Sequence, residues 1–253
     1  MKIRLKFNSK SYAPENFTGG TIFLMAAFGT KAWYYRSVVR VLLQNGFKVH
    51  VYDYLSKPLL DAEPEQWVEF NQRINTDLAA KIADEKNFHK AARFGIIGAS
   101  VGSMLAIHAA KIYPQIDKIM LVTVYGSSAN HVWESPKLAK IKKKFELSNR
   151  GVSDAYQLFG HMEPTYQLEK IGQRKILLFA NERDRTIKFE NTKLLIEEAQ
   201  RLGLNLTYKR IRAVRHSTTL FKVFRDQKTW LPFFMSLKEG PSTSITKPEF
   251  TVG

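Results

Sequence analysis

The stretch GIIGASVG, residues 95–102, constrains this chain more than any other. An apolar run, Phe94 to Ile97, stops at Gly98-Ala99-Ser100-Val101-Gly102, and a helical pattern begins at once with Met104, Leu105 and Ile107. The spacing predicts strand, tight turn and helix, with a serine at the apex. Small residues two places before and after that serine are what such a turn needs, because side chains there would collide with neighbouring backbone. A serine ahead of a helix is also a common N-cap. The rest of the chain has to show which of the two roles Ser100 plays.

Strand-length apolar runs and helical patterns alternate around this turn. Residues 21–27 (TIFLMAA) form a continuous apolar run, as in a strand covered by helices on both faces. A helical segment from Trp33 to Gln44 follows, closed by Asn45-Gly46, and then a strand from Phe47 to Tyr52 ending at Asp53. Between Asp61 and Glu85, Trp67, Phe70, Ile74, Leu78 and Ile82 recur at helical spacing behind Pro64. After the helix 101–112, residues 118–125 (KIMLVTVY) are again a buried strand. The alternation predicts a mainly parallel sheet flanked by helices. Residues 2–7 (KIRLKF) predict an edge strand with one buried face, followed by a turn-rich segment over 8–20.

From Ser127 to Lys170 the alternation lapses, with helical patches only at 136–147 and 153–162. It resumes with strand 175–180, helix 187–202, strand 205–212 and helical material over 217–237. The expected organisation is a core of residues 1–126 and 171–238, a helical insertion over 127–170, and a flexible tail over 239–253.

The absence of cysteine among 253 residues excludes disulfides, thiolate metal sites and cysteine nucleophiles. No HExxH pattern or tight His and carboxylate cluster points to a metal, so none is expected, nor any other cofactor. No apolar run reaches the roughly 18–20 residues of a membrane-spanning helix. The N-terminus MKIRLKFN lacks the apolar centre of a signal peptide, so a cytoplasmic location is expected. The net charge of +16 has two readings: attraction for nucleic acid or anionic lipid, or basic residues spread over every solvated face. Lysine and arginine occur throughout the chain, which favours the second reading over nucleic-acid binding.

The strand, GASVG turn and helix together resemble the nucleophile elbow of α/β-hydrolase-fold serine hydrolases, the esterase, lipase and thioesterase kind. The resemblance implies the α/β-hydrolase fold and the chain order serine, acid, histidine. Asp184, in ANERDRTI after strand 175–180, fits the acid, with Glu182 as a competitor. His216, in AVRHSTTLF after strand 205–212, fits the base. The other histidines fit less well: His50 lies within a strand, His89 and His108 in or beside helices, and His131 and His161 in the insertion, where they could touch substrate. Asp53 precedes Ser100, against that order, and reads as a loop anchor.

By the same resemblance the backbone N–H groups of Val101 and Phe28 would form an oxyanion hole, with Gly29 as a substitute donor or substrate contact. The loop AAFGTKAW departs from the family's HGFG-like pattern at Ala26 and Ala27.

The implied activity is cleavage of a small-molecule carboxylic ester or thioester through an acyl-enzyme. An acyltransferase or a peptidase would use the same residues, and a non-catalytic binding protein on this scaffold is the rival from another class. The insertion stands where this family carries a lid. Lys140, Lys142, Lys143 and Lys144 surround the apolar face Leu138, Ile141 and Phe145, so the helix suits either packing over the site or contact with an anionic membrane. Tyr125, Trp133, Tyr156, Phe159 and Tyr166 could line an acyl pocket or simply pack.

Overall fold

The computed structural model describes residues 5–90, 92–213 and 215–238. The tail expected at 239–253 lies outside them. Seven strands form one sheet in the order β1-β3-β2-β4-β5-β6-β7. They are β1 Phe7–Tyr12, β2 Gly20–Met25, β3 Lys48–Tyr54, β4 Arg93–Ala99, β5 Ile116–Val122, β6 Lys175–Ala180 and β7 Leu206–Arg210. Only β1 is antiparallel, paired to β3. The other pairings are parallel, as the alternation of apolar runs and helices predicts.

The edge strand is shifted from its expected place. It starts at Phe7 and occupies part of the segment expected to be turns, while residues 2–4 lie outside the described chain. Its register is set by polar cross-strand pairs: Asn8 Nδ2 donates to Asp53 Oδ1 at 2.7 Å, and Ser11 Oγ lies 2.8 Å from His50 Nδ1. A half-solvated strand built from FNSKSY has little hydrophobic signature to read.

The helices are α1 Arg36–Gln44, α2 Ser56–Asp61, α3 Pro64–Phe88, α4 Val101–Ile112, α5 Ser128–Glu134, α6 Ala139–Leu147, α7 Val152–Phe159, α8 Pro164–Gln167, α9 Phe189–Arg201, α10 His216–Arg225 and α11 Gln227–Met235. The sheet separates two layers of core. One face packs under α3, α4 and α9, and the same cluster continues without a break into Val132, Ile141, Phe145 and Phe159 of α5–α7. The other face packs under α1, α10 and α11, around Trp230 and Phe234.

The lysines of α6 meet the protein at its N-terminal side. Lys140 Nζ lies 3.2 Å from Asp61 Oδ1, and Lys144 Nζ donates to the Ala62 carbonyl at 2.9 Å and to Glu63 Oε1 at 3.0 Å. Two of the four lysines thus tie α6 to the α2–α3 junction. Among the described residues no helix is long and apolar enough to cross a membrane.

Candidate active site

Five parallel strands, β2, β4, β5, β6 and β7, run in the same direction, and the loops that leave their carboxyl ends build the site. The turn after β4 is tightest. Ser100 sits at φ 54° and ψ −122°, a conformation that L side chains adopt at a cost of about 1–3 kcal/mol. Its N–H donates to the Val122 carbonyl at 2.8 Å, and Ser103 Oγ donates back to the Gly98 carbonyl at 2.9 Å. The flanking glycines are steric requirements. A Cβ on Gly102 would run into the Met25 carbonyl oxygen and lie 2.6 Å from that of Ala26; one on Gly98 would lie 2.7 Å from the Gly102 carbonyl oxygen. Helix α4 starts at Val101, whose N–H, as the first of the helix, has no acceptor within it. Ser100 makes no side-chain cap bond to its helix, so the N-cap reading of this serine does not hold.

Asp184 and His216 arrive from the loops after β6 and β7. His216 Nδ1 lies 2.6 Å from Asp184 Oδ2, and His216 Nε2 lies 3.0 Å from Ser100 Oγ. The other oxygen of Asp184 accepts the N–H groups of Thr186 at 2.8 Å and Ile187 at 3.2 Å. Burial alone would raise this carboxyl, but His216 and the two amides outweigh it and hold Asp184 below the usual carboxylate value. Glu182, the competing acid, is paired with Arg210 instead.

The loop after β2 is pinned from beneath. Ala27 N–H donates to Tyr35 Oη at 2.7 Å, Thr30 Oγ1 donates to the Ala27 carbonyl at 2.7 Å, and Tyr54 Oη donates to the Ala26 carbonyl. Asp53 Oδ2 accepts the Ala32 N–H at 2.6 Å while its other oxygen holds Asn8, so it anchors this loop. Phe28 lies at the cavity wall, its ring stacked on Trp67 with centroids 6.1 Å apart.

Ser100, Val101, Phe28 and His216 border an open cavity of about 360 Å³. Beyond Val101, His131 and Leu138 lies an apolar recess of about 20 Å³, walled by Tyr125 and Phe159 among others. The sequence leaves open whether Tyr125 and Phe159 line a pocket or simply pack; in the structure both stand in the wall of the recess. Gly29 and Trp133 do not: Gly29 is exposed in the turn and lines neither cavity, and Trp133 packs on Phe145, with centroids 5.4 Å apart. Trp133 lies on a helix of seven residues, too short for its sequence to show which way the ring turns.

His131 is the residue sequence reasoning underrated. It lies on α5, a helix too short to show periodicity, and it borders both cavities while stacking on Tyr125 at 4.5 Å. Burial pushes its imidazole down to about 4, aided by His216 and Lys137 and opposed by Asp184. His50 stands apart from the site, between Ser11 and Glu85; His89 ends α3, and His108 is buried on α4. Among the described residues no group of three or more His, Asp or Glu side chains fits a metal ion.

No protein-family model matches this sequence, and no curated protein matches it significantly. Solved structures do resemble it in shape. A thermostable carboxyl esterase from Bacillus coagulans superposes with a TM-score of 0.65 at 14% identity, covering 90% of this chain and 94% of that chain. Acetyl xylan esterase 1 from Thermoanaerobacterium gives 0.68 at 16% identity, covering 93% of this chain and 80% of that chain. An acylaminoacyl peptidase from Pyrococcus horikoshii gives 0.67 at 11% identity, covering 92% of this chain and 40% of that chain. At such identities the likeness bears on fold. Strand order, elbow and superposition together define the α/β-hydrolase fold.

Proposed function

We propose that this protein is a serine hydrolase that cleaves a small carboxylic ester or thioester through an acyl-enzyme. The observation that supports it most is the continuous line from Asp184 through His216 to Ser100, 2.6 and 3.0 Å across its two links, at the mouth of a cavity. A serine hydroxyl is a weak nucleophile unless a base takes its proton as it attacks. Ser100 Oγ attacks the substrate carbonyl carbon and His216 Nε2 receives the proton. Asp184 fixes the Nδ1–H tautomer and stabilises the imidazolium. The carbonyl oxygen becomes an oxyanion, to which the N–H groups of Val101 and Phe28 donate, with the positive end of α4 behind the first of them. Collapse returns the proton from His216 to the leaving oxygen or sulfur. Water, activated by the same histidine, then releases the acid and restores Ser100. Esterases are among the similar folds, which supports ester hydrolysis.

An alkyl fluorophosphonate tests this directly, since it phosphonylates only an activated serine. The wild type is expected to label at Ser100 and to hydrolyse p-nitrophenyl acetate. Ser100→Ala and His216→Ala are each expected to lower turnover by about 10⁴- to 10⁶-fold. A folded wild type that neither labels nor turns over the ester sinks the proposal.

A further inference from the structure

Three cations line the cavity over Ser100: Lys137, just before α6; Arg185, beyond β6; and Arg215, just before α10. They come from three separate loops and all are exposed. None is ion-paired among the described residues, although nearby cations are, Arg210 with Glu182 and Lys188 with Glu134. Among the described residues no Asp or Glu lines this cavity. The carboxylate behind it, Asp184, is already engaged by His216, Thr186 and Ile187. Lys137 also acts inward, since its charge disfavours protonation of His131.

Single unpaired lysines and arginines are ordinary on a chain of charge +16. Three of them around one concave, largely apolar cavity are a different matter. Their mutual repulsion goes uncompensated, and a cleft with low-dielectric walls focuses their field on whatever enters. Two guanidinium groups present planar forks that match an oxyanion bidentately, and an ammonium adds a point charge.

We propose that the substrate carries an oxyanion group, phosphate or carboxylate, which Arg185, Arg215 and Lys137 hold at the cavity mouth. The group belongs to the leaving part of the substrate. The recess beyond Val101 and Leu138 is walled mainly by apolar side chains, Trp67, Met104, Val132 and Phe159 among them; of its polar groups the Tyr125 and Ser128 hydroxyls are turned to the Met104 sulfur and burial disfavours a charge on His131, so no cation stands there to pair with an anion. The acyl end therefore enters the recess, the carbonyl lies at Ser100 and the anion stays at the mouth. That assignment of parts rests on the hydrolase reading, whereas anion binding itself does not.

Calorimetry on the full chain with phenyl phosphate, phenylacetate and benzyl alcohol tests it. At least one anion is expected to bind about tenfold tighter than benzyl alcohol, and to weaken as salt rises to about 0.15 M, where the Debye length is about 8 Å. Comparing the two anions tells phosphate from carboxylate. The double variant Arg185→Glu, Arg215→Glu is expected to lose the preference, whereas Lys193→Glu, on the outer face of α9, keeps it. If the double variant does not fold, Lys137→Met is expected to weaken the same anion several-fold. Equal affinities for all three compounds in the wild type, or an anion preference that survives at the mouth variants, overturns the proposal. Ser100 labelling reports separately: anion binding without labelling removes the hydrolase reading alone, and labelling without anion preference removes this inference alone.

Discussion

At the scale of single residues, the site depends on a backbone conformation that its own serine disfavours. Ser100 at φ 54° is held by the Val122 carbonyl and by glycines at 98 and 102 that leave no room for a Cβ. Ser100→Gly removes the strain, partly offset by the greater flexibility of glycine in the unfolded chain. The variant is expected to be inactive yet about 1 kcal/mol more stable to urea. Asp184→Asn retains the shape but favours the wrong histidine tautomer, and is expected to lower kcat by about 10⁴-fold with little change in KM. His131 makes stability depend on pH. Its folded value of about 4 lies below the ordinary 6.5, so between those limits the unfolded chain binds more protons. Stability is therefore full above about pH 6.5 and falls as pH drops toward 4. His50, also lowered to about 4, adds to the same slope. His131→Leu is expected to flatten the urea midpoint against pH by about half over that window, because His50 still contributes. An unchanged slope removes His131 from the explanation. Burial sets most of that value, and the charged groups that face the ring modulate it: His216 and Lys137 lower it further and Asp184 raises it.

At the scale of elements, legibility followed burial. Strand β6 and helix α4 were readable to the residue because one is an apolar run and the other follows a glycine turn. Strand β1 was misplaced because its pairing rests on Asn8 and Ser11. Helices α2 and α5 were missed because six or seven residues give no period to detect. What shapes α5 is distant in sequence: Glu163 accepts the N–H groups of Ser128 at 2.5 Å and Ala129 at 2.9 Å, and Asn191 holds Gly126 and Ser127. The positions of Ser100, Asp184 and His216 were legible because each follows a strand end. The facing of Trp133, Tyr125 and His131 was not, because it depends on how α5 is seated. Helices α5, α6 and α7 converge on the apolar recess, whose 20 Å³ is room for about one small group. Acetyl esters are thus expected to be favoured over butyryl esters. Leu138 borders both recess and cavity and is expected to act as the gate between them: Leu138→Ala is expected to shift the kcat/KM ratio about tenfold toward butyryl. Retention of the wild-type ratio in a folded variant contradicts that role.

At the scale of the whole molecule, the question is whether residues 127–170 stand as a lid apart from the sheet or belong to one body with it. The sequence shows only that the strand alternation lapses there. In the structure one hydrophobic cluster runs from Phe94 and Ile119 of the sheet, through Met104 of α4, into Val132, Phe145 and Phe159. Polar ties cross the same boundary: Asn191 to Ser127, Lys144 to Ala62 and Glu63, and Arg150 to Glu65 at 2.6 Å. Opening such a segment exposes large side chains on both surfaces, at about 25 cal/mol per Å² of apolar area. It would also leave Asn191 without the Ser127 N–H. The segment is therefore expected to unfold with the sheet. Under urea, far-UV circular dichroism and a fluorescence probe confined to the segment, Trp133 in a background with Trp33, Trp67 and Trp230 changed to Phe, should give coincident midpoints. If Trp133 reports an earlier transition while the sheet persists, residues 127–170 form a separate unit, and the gate at Leu138 would have to be treated as a moving one.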